Sequence, residues 1–570
     1  MPPFKPRPQG TLSELLRDLA HHRGEVEALV IPDFVRDGHE LRLSFSALDA
    51  RVDHLAAGLI SLGIEAGEHV ALWAGNVADW VPLEFALARI GAVLVTINTA
   101  LQHDEVAYVL RQSQAVAVLH TTGTGSNEAS ALLDNILADS TLDLGAVRHR
   151  VWLPASPEDS APNGLLMGAH TQEHGPLTSL DDVVALGREL PAEQLTQREK
   201  ACRPSDVVNI QYTSGTTGFP KGVMLSHSNL LSSAWDLGDQ LRLTGDDSTC
   251  LMVPLFHCFG CVVAVLGSYS YAVGIHVLPG FDAENVLRLV DQERCTIIHG
   301  VPTMFSALLA HPDRSRFDTH SLRTGLMAGA PCPEPLMRAV IDELHCDGMC
   351  IAYGLTEAAP GVAGTNPEDN LAVRCGSLGR PLPGVSVRIV DPETCVDVPP
   401  GEEGELWLAG DNIMVGYFNA PDATALAIKD GRWLRTGDLA RRDEQGLLYI
   451  VGRAKDIIIR GGENIAPAEI ENILREHPDV HDVAVVGVTD RHFGEEVGCA
   501  VVLKADRRLQ PQELSSCLQG RIASFKIPKF WKAFDAFPLT GSGKVQKYKL
   551  REMMGDATVF TQPQQNPAAP

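Results

Sequence analysis

The chain has 570 residues, 45% hydrophobic and 21% charged, the composition of a folded globular protein with room for roughly two to four compact units. Its 72 acidic residues against 47 basic ones leave a net charge of −25, the opposite of the basic footprint that nucleic acid or an anionic membrane selects. Partners of either kind are therefore not expected.

Residues 1–8 lack an apolar core, so no secretory signal is expected. Leu12, Leu15, Leu16 and Leu19 recur at the spacing of an amphipathic helix over 12–21, and Leu48, Val52, Leu55, Leu59 and Leu62 do the same over 47–62. Segments 70–73 and 92–96 read as strands, and the alternation predicts a layered α/β body with largely parallel sheets. From 121 to 200 the chain turns rich in Ser, Pro, Asp, Glu and Gly, which reads as containing an embellishing surface insertion with no assigned activity.

An apolar strand over 207–212 then runs into Thr213-Ser214-Gly215-Thr216-Thr217-Gly218-Phe219-Pro220-Lys221-Gly222. Four hydroxyls, three glycines and a lysine in ten residues offer turning backbone, donors and charge, a combination suited to a polyphosphate. An ordinary polar loop would also use Thr and Gly. The stretch is not a Walker loop, because Phe219 and Pro220 separate Gly218 from Lys221 and Gly222 stands where a hydroxyl is required.

The uncharged window 258–280 is broken by His276, by Ser268-Tyr269-Ser270 and by Gly267 and Gly274, so it reads as two short buried elements with a turn rather than a membrane span. The 12 cysteines show no disulfide-like framework. Cys258 and Cys261 beside His257, and Cys346 and Cys350 beside His345, lack the second pair that a zinc site needs. Scattered thiols suit a reducing cytoplasm. Beyond Gly376 the chain becomes turn-rich and β-like, ending in a strand over 447–452. From Arg453 a compact α+β unit of about 110 residues is expected, with a helix over 468–475, strands over 483–488 and 499–503 and a helix over 511–522. The tail 561–570 is rich in Gln, Pro and Ala, reads as disordered and lacks a Ser-Lys-Leu ending.

The order of residues in 213–222 resembles the signature loop of the adenylate-forming superfamily, which holds acyl-CoA synthetases, luciferases and peptide-synthetase adenylation domains. Further segments resemble that family's motifs in its order. Pro254-Leu255-Phe256-His257-Cys258-Phe259-Gly260 is similar to the aromatic–histidine motif at the acyl site, and Ala328-Gly329-Ala330-Pro331 to the adenine-facing loop. Gly300 to Phe305 resembles the start of the acyl-pocket helix. Tyr353-Gly354-Leu355-Thr356-Glu357, Thr436-Gly437-Asp438, the hinge Gly452-Arg453-Ala454-Lys455-Asp456 with Gly461-Gly462-Glu463-Asn464, and Pro538 to Lys544 complete the series. The likeness spans nearly the whole chain, with the flavour of medium-chain and related fatty acyl-CoA synthetases.

That resemblance implies an N-terminal adenylate-forming domain over 1–452 with a β-rich subdomain, and a small mobile C-terminal domain over 453–570. It implies ATP-dependent conversion of a carboxylic acid to acyl-AMP with loss of pyrophosphate, then transfer to CoA. Thr213, Ser214, Gly215, Thr216, Thr217, Gly218, Phe219, Pro220 and Lys221 would wrap the β- and γ-phosphates. Gly329, Ala330 and Pro331 would face adenine, on which Tyr353, followed by Gly354, would stack. Thr356 would contact the α-phosphate and Glu357 would hold Mg²⁺, a hard cation that prefers oxygen. Asp438 would bind the ribose hydroxyls, with Arg453 beside them. Lys544 would bridge the carboxylate and the α-phosphate. Rotation at Lys455 would then bring Gly461 and Gly462 to the pantetheine tunnel for thiolysis. Such polyanionic substrates require a locally positive pocket on a negative body.

Taken singly, Lys544, Asp438, Glu357 and Tyr353 have ordinary structural readings, as a solvated lysine, a turn aspartate, an ion-pair partner and a core tyrosine. The ordered set favours the functional reading. For His257 an acyl-site role and a satisfied structural histidine stay equally open. Segments 255–260, 300–305 and 327–331 hold no acidic or basic side chain except His257, which favours an apolar acid. An amino-acid adenylation domain would carry an aspartate after Phe256 to pair the substrate ammonium. A carrier-loading acyl-AMP ligase would carry an insertion near the hinge, and 452–464 shows none. A catalytically silent homologue is the remaining alternative. The oligomeric state stays open, with a homodimer as one candidate.

Overall fold

The structure, a computed structural model, describes residues 9–36, 38–123, 129–156, 159, 177–213, 220–330, 332–453, 456, 458–460, 463–465, 467–490, 493–505, 507–508, 510–519, 521–522, 524–539, 544–556 and 558–559. The expectations for 1–8 and for the tail 561–570 lie outside the described residues. The chain divides into two compact units, Met1–Val387 with Leu408–Leu434, and Arg388–Trp407 with Arg435–Pro570.

The first unit is built on two large sheets. Its eight-stranded sheet has at its heart Val93–Thr96, His69–Trp73 and Ala117–His120, all parallel. These strands are short apolar runs buried on both faces, as a sheet covered by helices requires. Helices of this unit start where the sequence supplies caps. Leu12–Arg23 opens on a capping box in which Glu14 N donates to Thr11 Oγ1 and Thr11 N to Glu14 Oε2, at 3.2 and 2.7 Å. Phe45–Leu62 begins at Ser44, whose Oγ accepts from Ala47 N.

The second sheet has nine strands. Ser248–Leu251, Ile297–Gly300, Thr324–Ala328 and Gly348–Gly354 lie side by side and parallel. Their carboxyl ends therefore deliver the segments after Leu251, Gly300, Ala328 and Gly354 to one edge, where open α/β sheets bind ligands. Val286, Leu287, Leu289 and Val290 of helix Ala283–Glu293 pack into the core of this sheet, each buried aliphatic contributing roughly 1.5–3 kcal/mol.

One expectation changes and another holds. Segment 121–200 is more than an embellishment: His149–Trp152 and Leu177–Ser179 extend the eight-stranded sheet in parallel beyond Ala117–His120. Helix Ala129–Ala138 buries Leu133 and Ile136 in the same core. The polar composition around these short elements hid them. Window 258–280 is, as expected, two short buried elements with a turn between them: a π-helix over Phe259–Leu266 continued by a turn of α-helix over Gly267–Tyr269, then a strand over Gly274–Val277. Among the described residues no helix is long and apolar enough to cross a membrane.

In the second unit, Gly494–Leu503 pairs with Val480–Asp490, Ile458–Arg460 and Phe530–Ala533. Strand alternation sends Val483 and Val485 into one core with Ile470, Leu474 and Trp531, and Ala484 and Val486 into another with Phe537 and Leu550. Helix Pro511–Leu518 stops short of the expected 522, ahead of Gly520.

Candidate active site

The strand expected before the signature loop forms as Val207–Thr213 and returns antiparallel as Lys221–Ser226, with Thr213 opposite Lys221. Residues Ser214 to Phe219 lie outside the described residues. The closing end of the hairpin is anchored on both sides. Tyr108 OH donates to Pro220 O at 2.9 Å, and Phe418 N donates to Gly222 O at 2.8 Å.

Phe418 follows a two-residue strand, Gly416–Tyr417, that pairs with Lys221–Ser226 through Gly416 opposite Met224 and Tyr417 opposite Val223. Gly416 sits at φ +153°, where an added Cβ would come within 2.8 Å of Thr424. Thr424 Oγ1 accepts from Tyr417 N at 2.9 Å, so the close approach fixes the tyrosine backbone.

Tyr417 OH donates to Glu357 Oε1 at 2.9 Å, and Met414 N donates to Glu357 O at 2.9 Å. Burial and the adjoining Glu357 carboxylate push the Tyr417 phenol far above its ordinary range, so it remains a donor. Lys221 Nζ lies over the Tyr417 ring, 4.9 Å from its centroid, within cation–π range. Lysine, tyrosine and glutamate thus form one continuous group.

The glutamate is presented by a tight return of the chain after Gly348–Gly354. Tyr353 pairs opposite Ala363, and a Cβ on Gly354 would meet Pro360 O at 2.0 Å, so only glycine fits there. Thr356–Ala358 forms a single 3₁₀ turn. Asn412 Nδ2 donates to Ala358 O and Gly361 O at 3.1 and 2.7 Å. Asn229 Nδ2 donates to Asp411 O and Ile413 O at 2.7 and 2.8 Å. These two amides lock the 411–414 segment against the glutamate turn.

Thr356 is buried, and its Oγ1 lies 3.9 Å from Cys258 Sγ, which is 3.8 Å from His257 Nδ1. His257 Nδ1 accepts from Phe259 N at 3.2 Å, and the His257 carbonyl accepts from Gly260 N at 2.8 Å, so the histidine caps the π-helix. The aromatic–histidine motif therefore touches the threonine of the glutamate turn. Cys261 is buried and accepts from Gln211 Nε2 at 3.2 Å. No cluster of His, Cys, Asp or Glu suited to a metal ion occurs among the described residues. Gly329 and Ala330 are exposed after Thr324–Ala328, and Pro331 lies outside the described residues. One strand over, His299 is fully buried and accepts from Leu326 N at 3.2 Å through Nδ1; burial pushes it down to about 4, so the ring is neutral.

In the second unit, Asp438 is buried on strand Trp433–Arg442, opposite Arg453 of Leu448–Arg453. Asp438 N donates to Thr436 Oγ1 at 3.0 Å, and that hydroxyl donates to Leu406 O at 2.8 Å. Buried Glu405 holds the same turn, pairing with Arg435 Nη2 at 2.7 Å and accepting from Gly437 N at 3.3 Å. Lys544 is exposed next to the bridge between Leu539 and Val545. Ala454, Lys455, Gly461 and Gly462 lie outside the described residues. The sequence reading missed Tyr417, Asn229, Asn412 and Glu405; the one local signal was Gly416-Tyr417 with Thr424 seven residues on.

Comparison with known proteins identifies the family. Residues 16–418 match the family described as AMP-binding enzyme, and residues 469–544 match the AMP-binding enzyme C-terminal domain. YngI of Bacillus subtilis (strain 168) is 41% identical over 95% of this chain and 96% of its own length. The mitochondrial medium-chain acyl-CoA ligase ACSF2 of Mus musculus is 35% identical over 95% of this chain and 87% of that protein. The crystal structure of ATP-bound MatB from Rhodopseudomonas palustris superposes with a TM-score of 0.80 at 29% identity, covering 95% of this chain and 99% of that one. With both family segments present and full-length relatives at this identity, the chain belongs to the adenylate-forming AMP-binding enzymes, in their acyl-CoA synthetase branch.

Proposed function

We propose that the protein is an AMP-forming acid–thiol ligase that activates an apolar, fatty-type carboxylic acid with ATP and passes the acyl group to CoA. The observation that carries this reading is the meeting of the signature-loop lysine and the motif glutamate on one tyrosine. A carboxylate is a poor acyl donor until its oxygen becomes a good leaving group. Attack on the α-phosphate makes the acyl-AMP, and the barrier is mainly one of positioning and charge.

Segment 213–221 and Lys221 would take the β- and γ-phosphates, and Thr356 the α-phosphate. Tyr353 and 329–331 would hold adenine, and Asp438 with Arg453 the ribose. Glu357 supplies the carboxylate oxygens that a hard divalent ion selects, and its turn is held from both its backbone and its side chain. Bound there, Mg²⁺ would neutralise charge on the triphosphate. Lys544 would bridge the acid and the α-phosphate, then withdraw as residues 453–570 turn about Lys455, with 461–462 lining the CoA path. His257 is better supported as the cap of the π-helix, reaching the acyl site through its contact with Cys258. A cytoplasmic location is part of the proposal, supported by cysteines that are all free thiols.

The test is pyrophosphate release across saturated acids of graded length and one dicarboxylate, with and without CoA. Release that depends on an apolar acid, with thioester formed when CoA is present, is the expected result. Release without thioester would instead indicate a carrier-loading ligase, and no release with any acid a silent nucleotide binder. Preference for the dicarboxylate would overturn the apolar pocket.

A further inference from the structure

We infer that Tyr417 is a positioning residue for the adenylation step, holding the metal-binding carboxylate and the phosphate-binding lysine in one fixed relation. The inference rests on the reading of Glu357 as the metal ligand and goes beyond it by assigning the residue that aims it. Three observations converge on Tyr417. Its hydroxyl donates to Glu357 Oε1 at 2.9 Å. Its ring face carries Lys221 Nζ at 4.9 Å. Its backbone belongs to the short strand paired with Lys221–Ser226, while Met414, three residues earlier, donates to the Glu357 carbonyl.

A glutamate side chain held only at its backbone samples several rotamers, and ordering it has an entropic cost when a ligand arrives. The bond to Tyr417 removes that cost beforehand and directs one carboxylate oxygen at a protein donor. A partner of this kind, one bond behind a metal ligand, fixes the ligand's orientation. The ring does a second task at its face. It holds the ammonium of Lys221 without neutralising it, leaving the positive charge available to a phosphate. Hydroxyl and ring face are chemically separable, so the two tasks can be tested one at a time.

The experiment measures equilibrium binding of ATP to the full chain by titration calorimetry, with Mg²⁺ present and with the metal removed by chelator. Tyr417→Phe keeps the ring and loses the donor. It should weaken Mg·ATP binding about tenfold or more while metal-free ATP binds within about twofold of wild type. Tyr417→Leu removes the ring as well and should also weaken metal-free ATP, by about threefold. Glu357→Gln is the control, and adding Tyr417→Phe to it should bring no further loss. Thermal unfolding of each variant reports whether it folds. If Tyr417→Phe retains the wild-type gain from Mg²⁺, or loses affinity equally with and without the metal, the positioning role is wrong. If Glu357→Gln also keeps that gain, the fault lies in the reading of Glu357 itself.

Discussion

The Arg89 guanidinium lies wholly inside the protein and donates through Nη2 to Asp49 Oδ1 at 2.6 Å. Its Nη1 donates to Asp53 at 2.7 Å and its Nε to Ser13 Oγ at 2.8 Å. Arg17 shares Asp53 and adds Glu199, so the network joins helices Leu12–Arg23, Phe45–Leu62, Trp80–Arg89 and Ala192–Ala201. Replacing Arg89 by Met leaves these carboxylates facing one another with one cation fewer. The expected loss is roughly 3–5 kcal/mol, read as a lower urea midpoint. A loss below about 1 kcal/mol would mean the cluster is solvated in solution.

The same network makes the protein acid-sensitive. Burial pushes Asp53 and Glu199 upward, but hydrogen bonds from Arg17 and the charges of Arg17 and Arg89 outweigh it and hold both below their ordinary range. The unfolded chain, with carboxylates near about 3.9 and 4.3, takes up protons before the folded one does. The stability these groups add is therefore full above roughly pH 5 and is lost as pH falls through their folded values. Thermal midpoints from pH 7 down to pH 3 should fall less steeply in Arg17→Met than in wild type.

Glu84 behaves in the opposite sense. It is 2% exposed on Trp80–Arg89, and neither carboxyl oxygen has a hydrogen-bond partner among the described residues. Burial pushes it well above the carboxylate range. Such a group favours the folded state at low pH and disfavours it as pH rises through its folded value. Glu84→Leu should thus raise the thermal midpoint, and by more at pH 8 than at pH 5. An equal change at both would show that the carboxyl is not protonated in the fold.

Lys544→Ala separates the two half-reactions. Acyl-AMP formation should fall about 10²–10³-fold, the usual cost of one preorganised donor. Thiolysis of supplied acyl-AMP by CoA should stay within about threefold of wild type. Single-turnover assays of each step check this, and equal loss in both would contradict the assignment of Lys544 to adenylation.

What could be read from the chain depended on whether the signal was local. Helix Phe45–Leu62 and strands His69–Trp73 and Val207–Thr213 each carry their own period, and all formed within a few residues of expectation. The hairpin Glu27–Ile31 and Leu41–Ser44 joins the nine-stranded sheet beside Gly274–Val277, a partner far along the chain that no local pattern names. Site motifs were legible because several stood in order, while their supports were not. Tyr417 lies in a two-residue strand, too short for any periodicity, and Glu405 reads as part of an acidic, solvated run with Glu402 and Glu403. Both act through contacts made only in three dimensions.

The parallel strands His149–Trp152 and Leu177–Ser179 carry a practical warning. Anyone shortening the chain by trimming its polar-looking stretch after residue 120 would unzip one side of the eight-stranded sheet. Backbone donors and acceptors of Ala117–His120 would lie bare, ready to recruit a stranger's strand, and the truncated protein should precipitate where the intact one remains dispersed.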